Sequence, residues 1–172
     1  MKIKCPLLSL IAAFAVAGCA SGPHPSASLT RNSIVSTDGI VLKDTDRLTT
    51  PGTFKPPVEI TIVAKTDSTD LRMAYTADQV IFNWELDQTQ LRVDGGPADG
   101  LHKPGVGGIP AGKFVTIHWY VRAGEESIYV DDDLRFLHKA DYSGINKPVS
   151  VFPAAGSQVT VKSIKVTQLD RN

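Results

Sequence analysis

The carboxylates Glu85 and Asp87 are the residues whose types and spacing first suggest chemistry. They stand two apart, so on a β-strand both side chains would point to the same face. Two carboxyl groups about 5–5.5 Å apart are what a retaining glycosidase needs, one as nucleophile and one as acid and base. However, the run that follows, residues 87–90 (DQTQ), is rich in turn-forming residues and favours strand, turn and strand over one continuous strand. The pair alone therefore does not predict a catalytic site.

The elements that must position these residues follow from a period of two in the hydrophobic pattern. Apolar and polar side chains alternate in residues 58–63 (VEITIV), 71–75 (LRMAY), 80–84 (VIFNW) and 114–122 (FVTIHWYVR). Such alternation predicts strands that pack one face on a core. Further strands are predicted at residues 40–43, 90–93, 127–130, 134–138, 149–152 and 159–168, with turn-forming runs between them. About ten short strands at this spacing predict an all-β fold, an antiparallel two-sheet β-sandwich of the jelly-roll kind.

The same alternation selects the polar residues opposite the core. If Phe82 and Trp84 pack inward, the residues between and after them point outward. The ligand-binding residues predicted on one sheet face are Arg72, Asn83, Glu85, Arg92, His118 and Tyr120. Amide, carboxylate and guanidinium groups bind sugar hydroxyls through paired hydrogen bonds, and a tyrosine packs on the apolar face of a sugar ring. The alternative is a solvated face with cross-strand charge pairs such as Arg72 with Glu85.

Other candidate sites have simpler structural interpretations. Trp84 and Trp119 fall in step with aliphatic residues, so core packing is favoured over a sugar platform. The aspartates at 131–133 offer oxygen ligands for calcium, but they stand between two predicted strands and favour a polar hairpin turn. The glycines of residues 105–112 do not form a dinucleotide fingerprint, because Pro110 occupies its sixth position and no helix follows. We therefore predict no catalytic residue, no metal and no cofactor.

The N-terminus has the layout of an export signal. Two early lysines precede an apolar run at residues 5–17, and small residues follow. The sequence VAGC, ending at Cys19, resembles a bacterial lipobox, which implies cleavage before Cys19 and acylation of that residue. Several acyl chains at one terminus anchor a protein stably. The expected organisation is a signal peptide (1–18), the acylated cysteine and a flexible tether (19–33), and a β-sandwich domain (34–172).

This N-terminus also predicts location and partners. In Gram-negative lipoproteins an alanine after the cysteine, here Ala20, resembles the outer-membrane default. We expect a lipid-anchored protein of the bacterial cell envelope, with the membrane as one partner. Cys5 leaves with the signal and Cys19 carries lipid, so the mature chain has no thiol pair for a disulfide. Removing Lys2 and Lys4 leaves 16 basic against 18 acidic residues. Without a basic stripe, a nucleic-acid partner is not expected, and nothing identifies a protein partner.

The strand order resembles the concanavalin A-like lectin and glucanase superfamily. The resemblance covers residues 34–169 and rests on the segments ITIVAKTDSTDLRMAY, IFNWE, IPAGKFVTIHWYV, IYVDDDLRF and SQVTVKSIKVTQL. More narrowly, the chain resembles bacterial laminin-G-like domains and sandwiches grouped with 3-keto-disaccharide hydrolases, with Asp132 where a hairpin glycine is usual. The resemblance implies a concave sheet face of the kind that often binds glycans.

The resemblance also gives Glu85 and Asp87 a comparison. Retaining glucanases of this superfamily carry a strand motif E-x-D-x-x-E, or a version one residue shorter. Glu85 and Asp87 match its first two acidic positions, but the last falls on Gln90, or on Thr89 in the shorter version. An amide cannot donate a proton to a leaving group, nor act as the base afterwards.

Three functional hypotheses remain open. The leading one is a non-catalytic, envelope-anchored lipoprotein whose β-sandwich binds carbohydrate. The second is a structural or protein-interaction module of the cell envelope. The third is a glycan-cleaving enzyme, a hydrolase or lyase, that acts through Glu85 and His118.

Overall fold

The computed structural model describes residues 27–170, and almost all of its regular structure is β-strand. The strands are β1 (Ala27–Thr30), β2 (Ser33–Lys43), β3 (Leu48–Thr49), β4 (Val58–Thr66), β5 (Leu71–Ala74), β6 (Gln79–Phe82), β7 (Leu91–Asp94), β8 (His102–Lys103), β9 (Val115–Val121), β10 (Glu125–Val130), β11 (Asp133–Lys139), β12 (Ser150–Phe152) and β13 (Gln158–Gln168), with one 3₁₀ helix at Gly96–Ala98. Within the described part of the chain, no helix is long and apolar enough to cross a membrane. The predicted signal peptide and Cys19 lie outside the described residues.

The strands form two antiparallel sheets. One has seven strands in the order β1-β2-β13-β4-β9-β10-β11, and the other has six in the order β3-β12-β5-β6-β7-β8. Some neighbours are consecutive in sequence, such as β9 and β10, whereas others are far apart, as where β13 pairs with both β2 and β4. The predicted all-β, antiparallel two-sheet jelly-roll sandwich is confirmed.

The core lies between the two sheets and follows the predicted period of two. In β4 the side chains of Val58, Ile60 and Ile62 are fully buried, whereas Glu59 and Thr61 point to the other face. Full burial of such an aliphatic side chain contributes roughly 1.5–3 kcal/mol. β4 thereby has one face that packs in the core and one that lies outside it.

The first strand corrects the predicted domain boundary. Ala27–Thr30 forms β1 and pairs with β2, for example Ser28 with Val35. The tether predicted over residues 19–33 is therefore wrong from residue 27 onward. All four side chains of this edge strand are exposed, and it pairs with β2 through the backbone. Without a buried face it shows no alternation of polar and apolar residues that sequence could reveal.

The aspartates at 131–133 form a tight hairpin turn, as predicted. Val130 pairs with Asp133 across the hairpin, and the two residues between them, Asp131 and Asp132, have φ of 47° and 71°. Two consecutive left-handed residues define the turn that matches strand twist in two-residue hairpins. Among residues 27–170, no group of three or more His, Cys, Asp and Glu side chains is placed to hold a metal ion.

The carboxylate of Glu126 is buried between the sheets, with 1% of the residue exposed. Its Oε2 accepts hydrogen bonds from the hydroxyl of Thr76 at 2.7 Å and from the indole N–H of Trp119 at 2.9 Å. Its Oε1 accepts from the hydroxyl of Tyr142 at 2.8 Å. Thr76 lies in the β5–β6 turn of one sheet, whereas Trp119 and Glu126 lie in the other. Three donors around one carboxylate compensate its burial and join the two sheets.

The hydroxyl of Tyr142 has a second partner. Because its one proton goes to Glu126, Nδ1 of His138, 2.7 Å from the same oxygen, acts as the donor to it. Burial and the neighbouring Glu126 carboxylate raise the pKa of the Tyr142 hydroxyl, so it stays protonated. This chain of bonds ties the segment after β11 to the core.

Glu126→Ala should destabilise the domain by about 3 kcal/mol or more, because three buried donors lose their acceptor and a cavity forms. Urea unfolding of the full-length chain in detergent measures this. Glu125→Ala is the matched control, since Glu125 is the neighbour on the outer face of β10, and it should change stability by less than about 0.5 kcal/mol. Equal losses in the two variants would contradict the role of Glu126.

Candidate functional site

Five of the six predicted site residues lie on two opposite surfaces of the sandwich. Arg72 on β5 and Arg92 on β7 face outward from the six-stranded sheet, and Glu85 follows β6 in that sheet. His118 and Tyr120 face outward from β9 in the seven-stranded sheet. The expectation of one shared face is therefore wrong. Alternation shows which residues share a face of one strand, but not which of two sheets the strand joins.

The prediction that Asn83 points outward to solvent is wrong. It is 2% exposed, and its side-chain amide donates to the carbonyls of Ser68 at 3.2 Å and Ile109 at 2.9 Å. The Asn83 carbonyl Oδ1 accepts from the N–H of Ile109 at 2.7 Å. Asn83 thus fastens two loops to the end of β6 and has no hydrogen-bonding group left for a ligand.

Trp84 is half-buried on the surface, so its predicted place in the core is wrong. Asn83 has φ of 51°, a left-handed conformation that ends β6 at Phe82 and breaks the alternation. The Trp84 ring instead lies under the guanidinium of Arg92, 4.7 Å from Cζ to centroid, and meets the ring of His102 at 5.7 Å. Trp119, in contrast, is fully buried as predicted.

The outer surface of the six-stranded sheet, which we call the arginine face, carries side chains that bind one another. Arg72 donates to Asp70 at 2.9 Å and to Gln79 at 3.2 Å. Gln79 donates to Asp94 at 2.7 Å, and Arg92 donates to the same carboxylate at 2.8 Å. Although burial acts to raise it, these bonds hold the pKa of Asp94 below its usual value. Polar groups already paired in this way have little capacity for a ligand.

The outer surface of the seven-stranded sheet contains an open groove of about 560 Å³. Its lining residues are His118, Tyr120, Arg122, Glu125, Ser127, Tyr129 and Asp132. We call this the tyrosine groove. It follows β9 and β10, and its size lies within the range usual for small-molecule sites.

Strand register explains the shape of the tyrosine groove. Tyr120 pairs with Ser127 across β9 and β10, and His118 pairs with Tyr129. Ser127 is the smallest side chain of this set, so it forms the floor while the three rings beside it form the walls. On the other side of β9, Tyr120 pairs with Glu59.

The rings of the tyrosine groove are held in a fixed arrangement. The rings of His118 and Tyr120 stack, with centroids 6.2 Å apart and planes at 11°. The ring of Tyr129 packs edge-on against that of Tyr120, with centroids 5.9 Å apart and planes at 84°. Nδ1 of His118 lies 2.9 Å from Oε1 of Glu59; since a carboxylate only accepts, the ring donates from Nδ1 and leaves Nε2 as its other hydrogen-bonding atom. Burial, and then the Glu59 carboxylate, raise the pKa of the Tyr120 hydroxyl, which remains a donor at neutral pH.

Sequence reasoning found two residues of the tyrosine groove and missed the others. The missed residues are Arg122, Glu125, Ser127, Tyr129 and Asp132, together with the bordering Glu59. The signal was present in the outward positions of EESIYV, which alternate with the buried Glu126, Ile128 and Val130. A buried glutamate inside that segment obscured its phase.

The structure also separates Glu85 from His118. They lie on opposite outer surfaces of a sandwich whose two sheets alone are roughly 10 Å apart. The hypothesis of an enzyme that uses both residues on one glycosidic bond is therefore wrong. Glu85 lies in a turn in which the N–H of Asp87 donates to the carbonyl of Trp84 at 3.1 Å, so the two carboxylates do not lie on a continuous strand.

Solved structures with the same architecture are numerous, although no family model and no curated protein matches the sequence. A β-glucanase of Bacillus licheniformis is 12% identical, with 88% of this chain and 90% of that chain covered at a TM-score of 0.58. A galectin of Caenorhabditis elegans is 12% identical, and the match covers 80% of this chain and 97% of that chain at a TM-score of 0.55. The exoplasmic domain of VIP36, bound to Ca²⁺ and Man₃GlcNAc, is 10% identical, and the match covers 87% of this chain and 83% of that chain at a TM-score of 0.56.

The fold is a concanavalin A-like sandwich. At these identities the likeness concerns the fold alone, and it confirms the sandwich fold expected from the strand order. Function must therefore be argued from the tyrosine groove and not from the fold.

Asn83→Ala should destabilise the domain by about 2–3 kcal/mol, because three side-chain hydrogen bonds are lost and alanine is strained at a positive φ. Asn83→Gly removes the same bonds without that strain, so the difference between the two variants measures the backbone contribution. Urea unfolding and hydrogen exchange at the Ile109 amide are the measurements. Gln88→Ala, at the exposed turn nearby, should have no effect. A ligand role for Asn83 would instead predict an unchanged stability.

Proposed function

We propose that this chain is a non-catalytic, envelope-anchored lipoprotein that binds carbohydrate in the tyrosine groove. The observation that carries the proposal is the groove itself, an open channel on a sheet face with aromatic walls and hydrogen-bonding groups along it. His118 and Tyr120, expected from sequence to bind ligand, are central to it, with Tyr129 and Ser127 opposite them.

The groove has the chemistry that sugars require. A pyranose ring has an apolar face that packs on tyrosine and hydroxyls that need donors and acceptors. Arg122 offers donors, and Glu125 and Asp132 offer acceptors, at the two ends of the groove. Since the groove is open along the strands, it suits an internal stretch of a glycan chain as well as its end.

The solved structures of similar fold support this proposal. They include a galectin, a β-glucanase and a VIP36 domain bound to Man₃GlcNAc, of which the last has a glycan on a sandwich of this fold. The absence of catalysis is inferred from Gln90, which stands where the related glucanase motif carries its acid and base.

The envelope location is inferred from the lipobox at Cys19. Residues 20–26 are the chain between that cysteine and β1, and seven residues span at most about 25 Å when fully extended. The sandwich would therefore stay close to the membrane surface, where envelope glycans are within its reach.

A structural or protein-interaction module is the second candidate, and two exposed leucines favour it. Leu134 and Leu137 on the edge strand β11 are 50% and 43% exposed. They pair with Tyr129 and Ser127 of the tyrosine groove, so they give it an apolar rim of the kind that protein partners bury.

Tyr120→Ala and Tyr129→Ala should each weaken glycan binding about tenfold or more, because a sugar ring loses its packing surface. Ser127→Phe should abolish binding by filling the floor of the groove. A glycan array identifies the ligand, and calorimetry on the full-length chain in detergent measures its affinity. Arg92→Ala on the opposite face is the control and should leave affinity unchanged.

The same experiment separates the candidates. Suppose that no glycan binds, that cross-linking captures an envelope protein, and that this capture is lost in Leu137→Ser but not in the other variants. The groove then binds a protein partner. If glycan binding survives Ser127→Phe, the ligand is bound elsewhere and the proposed site is wrong.

Cys19→Ser should abolish acylation and release the protein from the membrane fraction, since the thiol that would be acylated is gone. Mass spectrometry of the mature N-terminus and membrane fractionation measure the two effects. Cys5→Ser is the matched control, because Cys5 lies within the predicted signal peptide and should change neither. An unmodified Cys19 in the mature protein would contradict the anchor.

A further inference from the structure

Asp70 has a carboxyl group buried at the start of β5, on the arginine face and away from the tyrosine groove. The residue is only 1% exposed. Its backbone N–H donates to the carbonyl of Asn83 at 2.8 Å, and its φ is 58°, which aspartate tolerates better than most residues. Nothing in the proposed binding of glycan uses this group.

The two oxygens of the Asp70 carboxyl group have unequal surroundings. Arg72 donates from Nε at 3.2 Å and from Nη2 at 2.9 Å, and both bonds go to the same oxygen, Oδ1. Oδ2 is buried and has no hydrogen-bond partner among the described residues when the group is treated as a carboxylate. Burying a charged oxygen without a hydrogen-bond donor costs free energy. If Asp70 is ionised, Oδ2 has nothing that compensates this cost.

Glu85 brings a second carboxyl group to the same place. Nη2 of Arg72, which binds Asp70, also reaches Oε2 of Glu85 at 3.4 Å. The remaining arm of the guanidinium, Nη1, is taken by the side-chain carbonyl of Gln79. One positive charge therefore faces two carboxyl groups, and a proton between them would balance the charge.

We propose that Asp70 and Glu85 share one proton, carried on Oδ2 of Asp70 and donated to the Glu85 carboxylate. This gives the unpartnered oxygen a role as a donor and leaves one negative charge beside one guanidinium. The shared proton forms a clasp between the start of β5 and the turn at residues 84–87.

The directions of the two pKa shifts agree with a shared proton. Burial, followed by the Glu85 carboxylate, raises the pKa of Asp70. The bond with Asp70, reinforced by Arg72, lowers the pKa of Glu85. Arg72 from β5 is the charged group facing the pair, and Thr69 and Trp84 are the other side chains that act on it. Opposite shifts within one pair are typical of carboxyl groups that share a proton.

The clasp has a defined pH dependence. Because the Asp70 pKa is raised on folding, its contribution to stability is complete below the ordinary aspartate value of about 3.9 and is lost as pH rises through the folded value. Because the Glu85 pKa is lowered, its contribution is present above about 4.3 and is lost as pH falls through its folded value. The clasp is therefore strongest between the folded pKa of Glu85 and the folded pKa of Asp70, and it weakens as pH rises through the latter.

Carboxyl-carbon NMR titration of the full-length chain in detergent tests the proposal. We expect the Asp70 midpoint to lie above, and the Glu85 midpoint below, the ordinary values. Glu85→Gln should move the Asp70 midpoint downward, since the neighbouring negative charge is removed. Asp87→Asn, in the same turn but hydrogen-bonded to Thr89, is the matched control and should leave it unchanged.

Asp70→Asn provides an independent reading, because its amide keeps an acceptor for Arg72 and a permanent donor for Glu85. The melting temperature of Asp70→Asn minus that of the unsubstituted chain should increase as pH rises through the Asp70 midpoint, because only the unsubstituted chain loses its donor to Glu85. An Asp70 midpoint at or below the ordinary value, or one that Glu85→Gln does not move, would overturn the proposal. Glycan affinity should not change in any of these variants, so failure here is distinct from failure of the proposed function.

Discussion

The hydrogen bonds to the buried Glu126 carboxylate are the constraint on which the rest of this structure depends. They connect Thr76, in the β5–β6 turn of one sheet, with Trp119 of the other sheet and with Tyr142 in the segment after β11. Since a one-residue slip would exchange the two faces of a strand, fixing Glu126 inward also fixes Ser127 and Tyr129 outward. The buried acid thus sets the register of β10 and, through it, the position of the tyrosine groove.

The two outer surfaces of the sandwich use polar residues in different ways. On the arginine face, each arginine pairs with an aspartate two residues away along the chain, Arg72 with Asp70 and Arg92 with Asp94. Arg92 also covers the ring of Trp84. In the tyrosine groove a small residue stands among large ones, so hydrogen-bonding groups line open space. On the arginine face the polar side chains use their hydrogen-bonding groups on one another, whereas those of the tyrosine groove are available to a ligand.

Much of the fold and part of the candidate site could be predicted from sequence. The alternation in VEITIV and FVTIHWYVR predicts which side chains are buried, and burial of apolar surface is local enough to be read along one strand. The same rule fails at Asn83, where a left-handed residue ends the strand and brings Trp84 to the surface. It also fails for β1, an edge strand with no buried face. In β10 it correctly predicts a strand at residues 127–130 but not the buried Glu126 before them.

The surroundings of Glu85 depend on contacts between distant segments of the chain. By itself the sequence determined an all-β sandwich, the hairpin turn at 131–133 and the departure from the glucanase motif at Gln90, because these depend on neighbouring residues. Only the tertiary structure decided that Glu85 and His118 lie on opposite surfaces, that Asn83 fastens loops, and that Arg72 contacts both Asp70 and Glu85. These relations depend on which sheet each strand joins, and strand pairing between distant segments leaves no local pattern in the chain.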